Sequence, residues 1–362
     1  MNKQRASKVL ANLRELGLGQ AIVTDPLSIW YLTGYYTEPY ERFLALYLTE
    51  EGGVPRSTLF CNRLFPDATG AADEVVTFDD TDDPVPLVLA ATDHAEPLGV
   101  DKDLAARWLL PLMEAGAGAS VRLASVAVDR ARSIKDDAEQ ELMREASRIN
   151  DRAMAWLADQ VRVGVTERSI AEGLLGEYRS LGAEDHSFSP IVSFGANAAD
   201  PHHEPDGTRL EKGDMVLFDV GCKYRAYCSD MTRTFFTAAP TAHQVEVYDT
   251  VRRANETAEA LIAPGVEFAE LDLAARRVIE DAGYGRYFTH RLGHQIGLSD
   301  HEPGDVSSTH HEPVLPGMCF SIEPGIYIPG DIGVRIEDLA IVREDGHEIL
   351  NAYTHEPTTL DA

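Results

Sequence analysis

At 362 residues the chain is longer than one hydrophobic core usually supports, and with 44% hydrophobic and 25% charged residues it reads as two globular domains rather than a disordered or fibrous chain. No apolar run approaches the roughly 18 residues of a membrane span, no apolar block follows Lys3, Arg5, Lys8 and Arg14, and the four cysteines form no C-x-x-C pair, so the expectation is a cytoplasmic protein without signal peptide, disulfide scaffold or thiolate zinc site. Thirty-two basic against 60 acidic side chains give a formal charge of −28, which disfavours nucleic acid and anionic membrane as partners.

Val9, Leu10, Leu13 and Leu16 recur at helical spacing before Gly17 and Gly19 end the helix. A short strand at Ala21–Val23, a turn at Thr24–Pro26 and an apolar element at Ile29–Leu32 follow. Strands are expected at Phe43–Leu48 and Ser57–Cys61, an acidic loop at Asp79–Asp83, then strand Leu98–Val100, a helix around Leu104–Met113 and strand Val121–Leu123. These complete a small α/β unit over residues 1–130. From Ile134 the texture changes. Asp136–Gln160 predicts a long helix with Leu142, Ala146, Ile149, Ala153 and Trp156 on one stripe, and Thr166 begins another running to Ser180. Strands at Pro190–Phe194, Met215–Val220 and Cys228–Phe236, helices at Ala242–Ala263 and Phe268–Ala282, and strands at Cys319–Ile322 and Gly333–Val342 predict an α+β domain over 131–362.

Asp219, Asp230, Glu323 and Glu337 each stand inside an apolar, strand-like run, a costly place for an isolated charge. A turn centred near Tyr224-Arg225 sets Asp219 opposite Asp230, and one near Gly330-Asp331 sets Glu323 opposite Glu337. Like charges directly opposed destabilise a sheet, so two such hairpins call for cations, and four carboxylates call for two divalent ones. His294, between glycines, offers a neutral ligand. Oxygen-rich ligation with one imidazole favours Mn²⁺, with Co²⁺ or Zn²⁺ as alternatives. Paired metals polarise carbonyls and activate water, the chemistry of a hydrolase.

The segments FDVG (218–221), SDMTRTF (229–235), HRLGHQIGL (290–298), FSIEPGIYIPG (320–330) and GVRIEDLAIV (333–342) resemble the pita-bread metallopeptidases, the superfamily of creatinase, aminopeptidase P and prolidase. TDPLSIWYLTGYYTEPYERFLALYL (24–48) resembles the N-terminal domain of bacterial Xaa-Pro dipeptidases, so the likeness covers nearly the whole chain and is strongest to prolidase. It implies a C-terminal pita-bread catalytic domain behind a smaller creatinase-type α/β domain, and a homodimer. Carried over by motif, the metal ligands would be Asp219, Asp230, His294, Glu323 and Glu337, with Asp230 and Glu337 bridging two metals. A hydroxide between the metals would attack the carbonyl, with Glu323 as proton shuttle. His202 and His301 would serve as further catalytic residues, and His290 and Arg335 as substrate-binding or ligand-orienting ones.

The implied activity is cleavage of the imide bond in Xaa-Pro dipeptides. The alternatives are an Xaa-Pro aminopeptidase acting on longer peptides, another small C–N bond hydrolase, or a metal-free binding scaffold. Two departures from the family pattern stand out. Gln295 replaces the glycine usual after the motif histidine and is expected to narrow the pocket. No arginine occurs between Leu292 and Val334 to hold the proline carboxylate, which leaves Arg291, Arg335 or a partner subunit's Arg42 for that role. His203, His310 and His311 match no motif and are expected in solvated loops. Cys222 and Cys228 are expected to remain free thiols.

Overall fold

In the computed structural model, which describes residues 1–362, Asn2 starts the first helix, α1 (Lys3–Glu15), by accepting the Gln4 and Arg5 amides, and Val9, Leu10 and Leu13 form its buried stripe. Strand β1 (Gln20–Val23) leads to Asp25, which caps α2 (Pro26–Thr33); proline in the first turn is preset for helix, so the apolar element at Ile29–Leu32 is helical. Then come β2 (Ala45–Glu51), β3 (Val54–Asn62), β4 (Glu74–Phe78), α3 (Val85–Ala91), β5 (Leu98–Val100), α4 (Ala106–Glu114), β6 (Val121–Leu123) and α5 (Ser125–Ser133). They build one six-stranded mixed sheet in the order β4-β3-β2-β1-β5-β6, with β1 antiparallel to β2 and parallel to β5. The chain separates into two units, Met1–Arg132 and Ser133–Ala362.

The second unit opens with α6 (Asp137–Gln160), started by a reciprocal Asp136–Glu139 capping box. Its buried stripe runs through Met143, Ala146, Ile149, Ala153, Met154 and Leu157. Leu142 and Trp156, expected on that stripe, are half-buried, because the inward face is rotated toward Met143 and Leu157. Helix α7 (Glu167–Leu181) begins where Thr166 accepts the Ser169 amide. Strands β7 (Asp185–His186), β8 (Ile191–Phe194), β9 (Met215–Val220), β10 (Cys222–Tyr224), β11 (Tyr227–Cys228) and β12 (Met231–Phe236) follow, then helices α8 (Ala242–Glu259) and α9 (Phe268–Asp281). The remaining strands are β13 (Gly293–Gln295), β14 (Glu302–Val306), β15 (Cys319–Ile322), β16 (Gly325–Ile328), β17 (Ile332–Arg335), β18 (Asp338–Arg343) and β19 (Gly346–Ile349).

Helices α6 and α7 cover the sheet β12-β9-β8 through Ile149, Leu157, Leu174, Val192 and Phe218. Helices α8 and α9 cover the sheet β14-β13-β15-β18-β19 through Val251, Phe268, Leu271, Phe320 and Val342. The architecture is the α+β one expected, with one difference. The two long strands predicted at Cys228–Phe236 and Gly333–Val342 are each split, at Ser229-Asp230 and at Ile336-Glu337. Each break falls on one of the acids that had seemed to lie inside a strand, and there the chain crosses from one sheet to another.

A clamp closes the unit. Arg233 is 1% exposed. Its guanidinium donates to the carbonyls of Glu337 (2.7 Å), Tyr353 (2.7 Å) and Thr354 (3.1 Å) and to Asp338 Oδ1 (2.7 Å). Asn351 accepts the Leu339 amide (2.8 Å) and donates to the Asp230 carbonyl (3.4 Å), while the Leu360 amide bonds the Phe236 carbonyl (2.8 Å). No helix is long and apolar enough to cross a membrane.

Candidate metal centre

Asp219 stands on β9 and is paired with Thr232, not with Asp230. The hairpin turns at Arg225-Ala226, both at positive φ (49° and 74°), one residue later than the sequence suggests. Each residue shifted in the turn moves the register by two, so Asp230 falls diagonal to Asp219 on the same face of the sheet. The other hairpin has the expected register: Ile322↔Asp338 and Gly325↔Arg335 bracket Glu323 and Glu337 as opposed positions. His294 lies on β13 beside β15, which carries the chain into Glu323.

These five side chains converge on a cavity of about 730 Å³ that His202, His290, Arg291, Asp300, His301 and Arg335 also line. Asp230, His294 and Glu337 bring ligand atoms within 4.8 Å of one another. The His294 ring donates from Nδ1 to the Gln295 carbonyl (3.1 Å), since a carbonyl can only accept. That leaves the bare Nε2 facing Asp230 Oδ2 (3.6 Å) and Glu323 Oε1 (3.5 Å), beyond hydrogen-bond reach of either. Asp219 Oδ1, Asp230 Oδ1 and Glu337 Oε1 are buried without a hydrogen-bond partner. Buried polar atoms are rarely left so. Three orphaned carboxylate oxygens and a bare imidazole nitrogen in one cavity fit divalent cations.

The other oxygens are held from behind. Thr232 donates to Glu337 Oε2 (2.6 Å) and accepts from Arg335 Nε (3.0 Å), while Arg335 Nη2 bonds Asp219 Oδ2. Ser321 Oγ receives the His294 amide (3.0 Å) and donates to Glu323 (3.2 Å). Arg335 Nη1 also donates to the Tyr327 hydroxyl (2.7 Å), which donates to His290 Nε2 (3.0 Å). Neither Thr232, Ser321 nor Tyr327 was singled out from the sequence, although Thr232 follows from the register once the turn is placed.

Burial, with Glu337 next, pushes the Asp230 carboxyl well above its usual range, and burial with Glu323 and Asp219 does the same to Glu337. Burial lifts Glu323 to about 8 against the pull of Arg335. It also holds the imidazoles of His290, at about 4, and His294, at about 3, neutral. A carboxyl whose pKa is raised in the folded state keeps protons that the unfolded chain, with a Glu value near 4.5, has already released. Chelator-treated protein is therefore expected to lose stability as pH rises from about 4.5 to about 8. Thermal midpoints recorded at pH 5 and pH 8 check this: they should fall with pH, and added Mn²⁺ should shrink the fall by taking the place of the protons.

His202 and His301 line the cavity from exposed positions. His301 accepts from Arg291 at Nδ1 (3.1 Å), and its ring centroid lies 3.8 Å from that of His294. Arg291 Nη1 pairs with Asp305 (2.7 Å). Two of the histidines expected in solvated loops are engaged. His203 bonds the fully buried Glu167 (2.7 Å), and His310 stacks on Phe268 at 4.7 Å. His311 is exposed as expected, with its Nδ1 2.9 Å from Glu267 Oε2. All four cysteines are free and buried; Cys228 faces Lys223 across the hairpin rather than Cys222.

Gln295 does not line the cavity. Its side chain lies over Gly304 on β14, where a Cβ would overlap the amide, and Gly304 itself sits at φ +124°. The bulk added after His294 is thus accommodated by a glycine on the neighbouring strand. Gly304→Ala is expected to cost about 1–3 kcal/mol, and pairing it with Gln295→Ala to recover the steric part, read as urea midpoints of the single and double variants.

Known proteins resemble this chain in sequence and fold. Residues 141–344 match the model of metallopeptidase family M24, and residues 5–134 match the creatinase/prolidase N-terminal domain. An uncharacterized peptidase of Staphylococcus saprophyticus is 37% identical over 352 residues, covering 96% of this chain and 99% of that protein. Among solved structures, a prolidase from Thermococcus sibiricus superposes with TM-score 0.92 at 33% identity, over 99% of this chain and 100% of that one. A dipeptidase from Mycobacterium ulcerans gives 0.90 at 33% identity, over 99% and 97% of the two chains. With the carboxylates and histidine of its second unit gathered in one cavity, and with a family match spanning most of that unit, the chain belongs to metallopeptidase family M24.

Proposed function

We propose that the protein is a dinuclear Xaa-Pro dipeptidase in which Asp219, Asp230, His294, Glu323 and Glu337 hold two divalent cations, Mn²⁺ foremost. The observation that carries this reading is the set of orphaned oxygens around the bare His294 Nε2. When bound, such cations polarise a carbonyl and lower the pKa of water. The chain's own groups do the rest. Glu323, 3.5 Å from His294 and braced by Ser321, takes the proton from the attacking water and returns it to the leaving nitrogen. His301 accepts from Arg291 at Nδ1, so its proton sits on Nε2, available to the oxyanion that develops, with His202 as a second donor. Arg335 holds Asp219, and Tyr327 fixes His290 as an acceptor at Nε2.

An imide bond offers no N–H, so recognition falls to the pyrrolidine ring and the carboxylate. Phe188, Pro190, Ile191, Pro201 and Pro205 give the cavity an apolar wall for the ring. Arg335 is buried behind Asp219, Thr232 and Tyr327, whereas Arg291 lines the cavity from a partly exposed position, paired with Asp305 and His301, and is the carboxylate anchor in this reading. Arg291→Met should raise KM for a dipeptide by about tenfold with kcat changed less, as expected when one charge-assisted hydrogen bond is lost. The reading includes a homodimer, for which Tyr36, Tyr40 and Leu64 supply exposed apolar surface on the first unit; light scattering would measure it.

The decisive experiment is proline release from Met-Pro and Gly-Pro by chelator-stripped protein, with and without Mn²⁺, beside an Xaa-Pro-Xaa tripeptide. Metal-dependent release from the dipeptides alone supports the proposal. Cleavage of the tripeptide alone would make the protein an Xaa-Pro aminopeptidase, and silence on both would reject either.

A further inference from the structure

Four carboxylate oxygens in the cavity are buried without a hydrogen-bond partner, and only three of them belong to the five residues assigned above. The fourth is Asp300 Oδ1. Asp300 lies between β13 and β14, one residue before His301, and its carboxyl stands close to that of Asp230 in the same cavity. Its Oδ2 is 3.5 Å from His301 Nε2, a separation too long for a hydrogen bond. Asp230 and Glu337, both more than nine-tenths buried, turn their own orphaned oxygens into the same space.

The loop that carries Asp300 is held firmly. Glu302 forms a buried ion pair with Lys135 (3.1 Å), and its other oxygen accepts the Leu298 amide (3.1 Å). Asp300 is therefore placed near Asp230 by the backbone on either side of it. Two carboxyl groups close together inside a protein are stable only with a proton or a cation between them. Of the cavity carboxylates that carry an orphaned oxygen, Asp300 alone belongs to neither of the two acidic hairpins.

We infer that Asp300 is a sixth protein group of the cation site, a further carboxylate that holds divalent metal on the Asp230–His294 side. This rests on the metallopeptidase reading above and adds a ligand to it. Its role is to tighten the hold on the cation at that side, where His294 is the single neutral ligand.

The test is Mn²⁺ titration calorimetry on chelator-stripped wild type, Asp300→Asn and Asp300→Glu, with the thermal midpoint of each cation-free protein. Asp300→Asn should weaken one of two binding steps by about tenfold or more while raising the cation-free midpoint, because one of two neighbouring carboxyls has become an amide. Asp300→Glu should retain more affinity than Asp300→Asn. Mn²⁺ affinities within about twofold of wild type for both variants would overturn the inference. Absence of Mn²⁺ binding by wild type would instead overturn the metallopeptidase reading. The cation-free midpoint separates a lost ligand from a misfolded loop: a large fall in Asp300→Asn would assign the residue a structural role and overturn the inference as well.

Discussion

Glu337→Gln, saturated with Mn²⁺, will release proline more than about 100-fold more slowly than wild type, exceeding the loss expected when only a partner behind a ligand is removed. The substitution keeps the side-chain shape, and its amide oxygen can still accept from Thr232 at the position of Oε2. What it adds is an N–H₂ group where Oε1 now stands without any donor. An N–H₂ group cannot ligate, and it turns its hydrogens toward the place a cation would occupy. The same change relieves repulsion among Glu337, Glu323 and Asp219, so the chelated variant should melt at a higher temperature than chelated wild type. Lower activity with higher cation-free stability is the signature of a ligand. A rate within about tenfold of wild type would remove Glu337 from the site.

Arg233→Met will cost about 3–5 kcal/mol, the range for breaking a buried ion pair from one side. Asp338, wholly buried, would keep His355 (2.6 Å) but lose its guanidinium, and three carbonyls would lose their donor together. Thermal denaturation of the chelated protein should show a fall on the order of 10 °C. Arg233→Met combined with Asp338→Leu should regain part of it, since an apolar pair of similar volume avoids leaving a charge alone. A fall below about 2 °C would mean that the clamp adds little beyond what its surroundings already hold.

The two acidic hairpins show what could be read in advance and what could not. Gly330, at φ +73°, marks its turn in the sequence, and the pairing of Glu323 with Glu337 follows from it. The first hairpin turns at Arg225-Ala226, residues that adopt positive φ without the Gly or Asn that normally announces it, so the register came out two positions off. The face of the sheet was still right, because the period of two survives a shift of two. Five ligand candidates were legible because each acid interrupts an apolar run and His294 stands between glycines. Asp300 was not, since an acid beside Ser299 and His301 in a polar stretch breaks no pattern. Nor could the sequence show that Gln295 points away from the cavity, which depends on Gly304 in a neighbouring strand.

The Arg233 clamp also sets an order on biosynthesis. Asp219 and Asp230 leave the ribosome more than a hundred residues ahead of Glu337, and the carbonyls that Arg233 grips, at Tyr353 and Thr354, emerge later still. Domains tend to fold as they are synthesised, first unit first. In this chain the first two acids must wait until translation has passed Asn351 and the segment bearing Glu337 can be locked in place. On the proposed assignment of ligands, the full set comes together only once synthesis has passed Asn351, so loading with metal would follow translation.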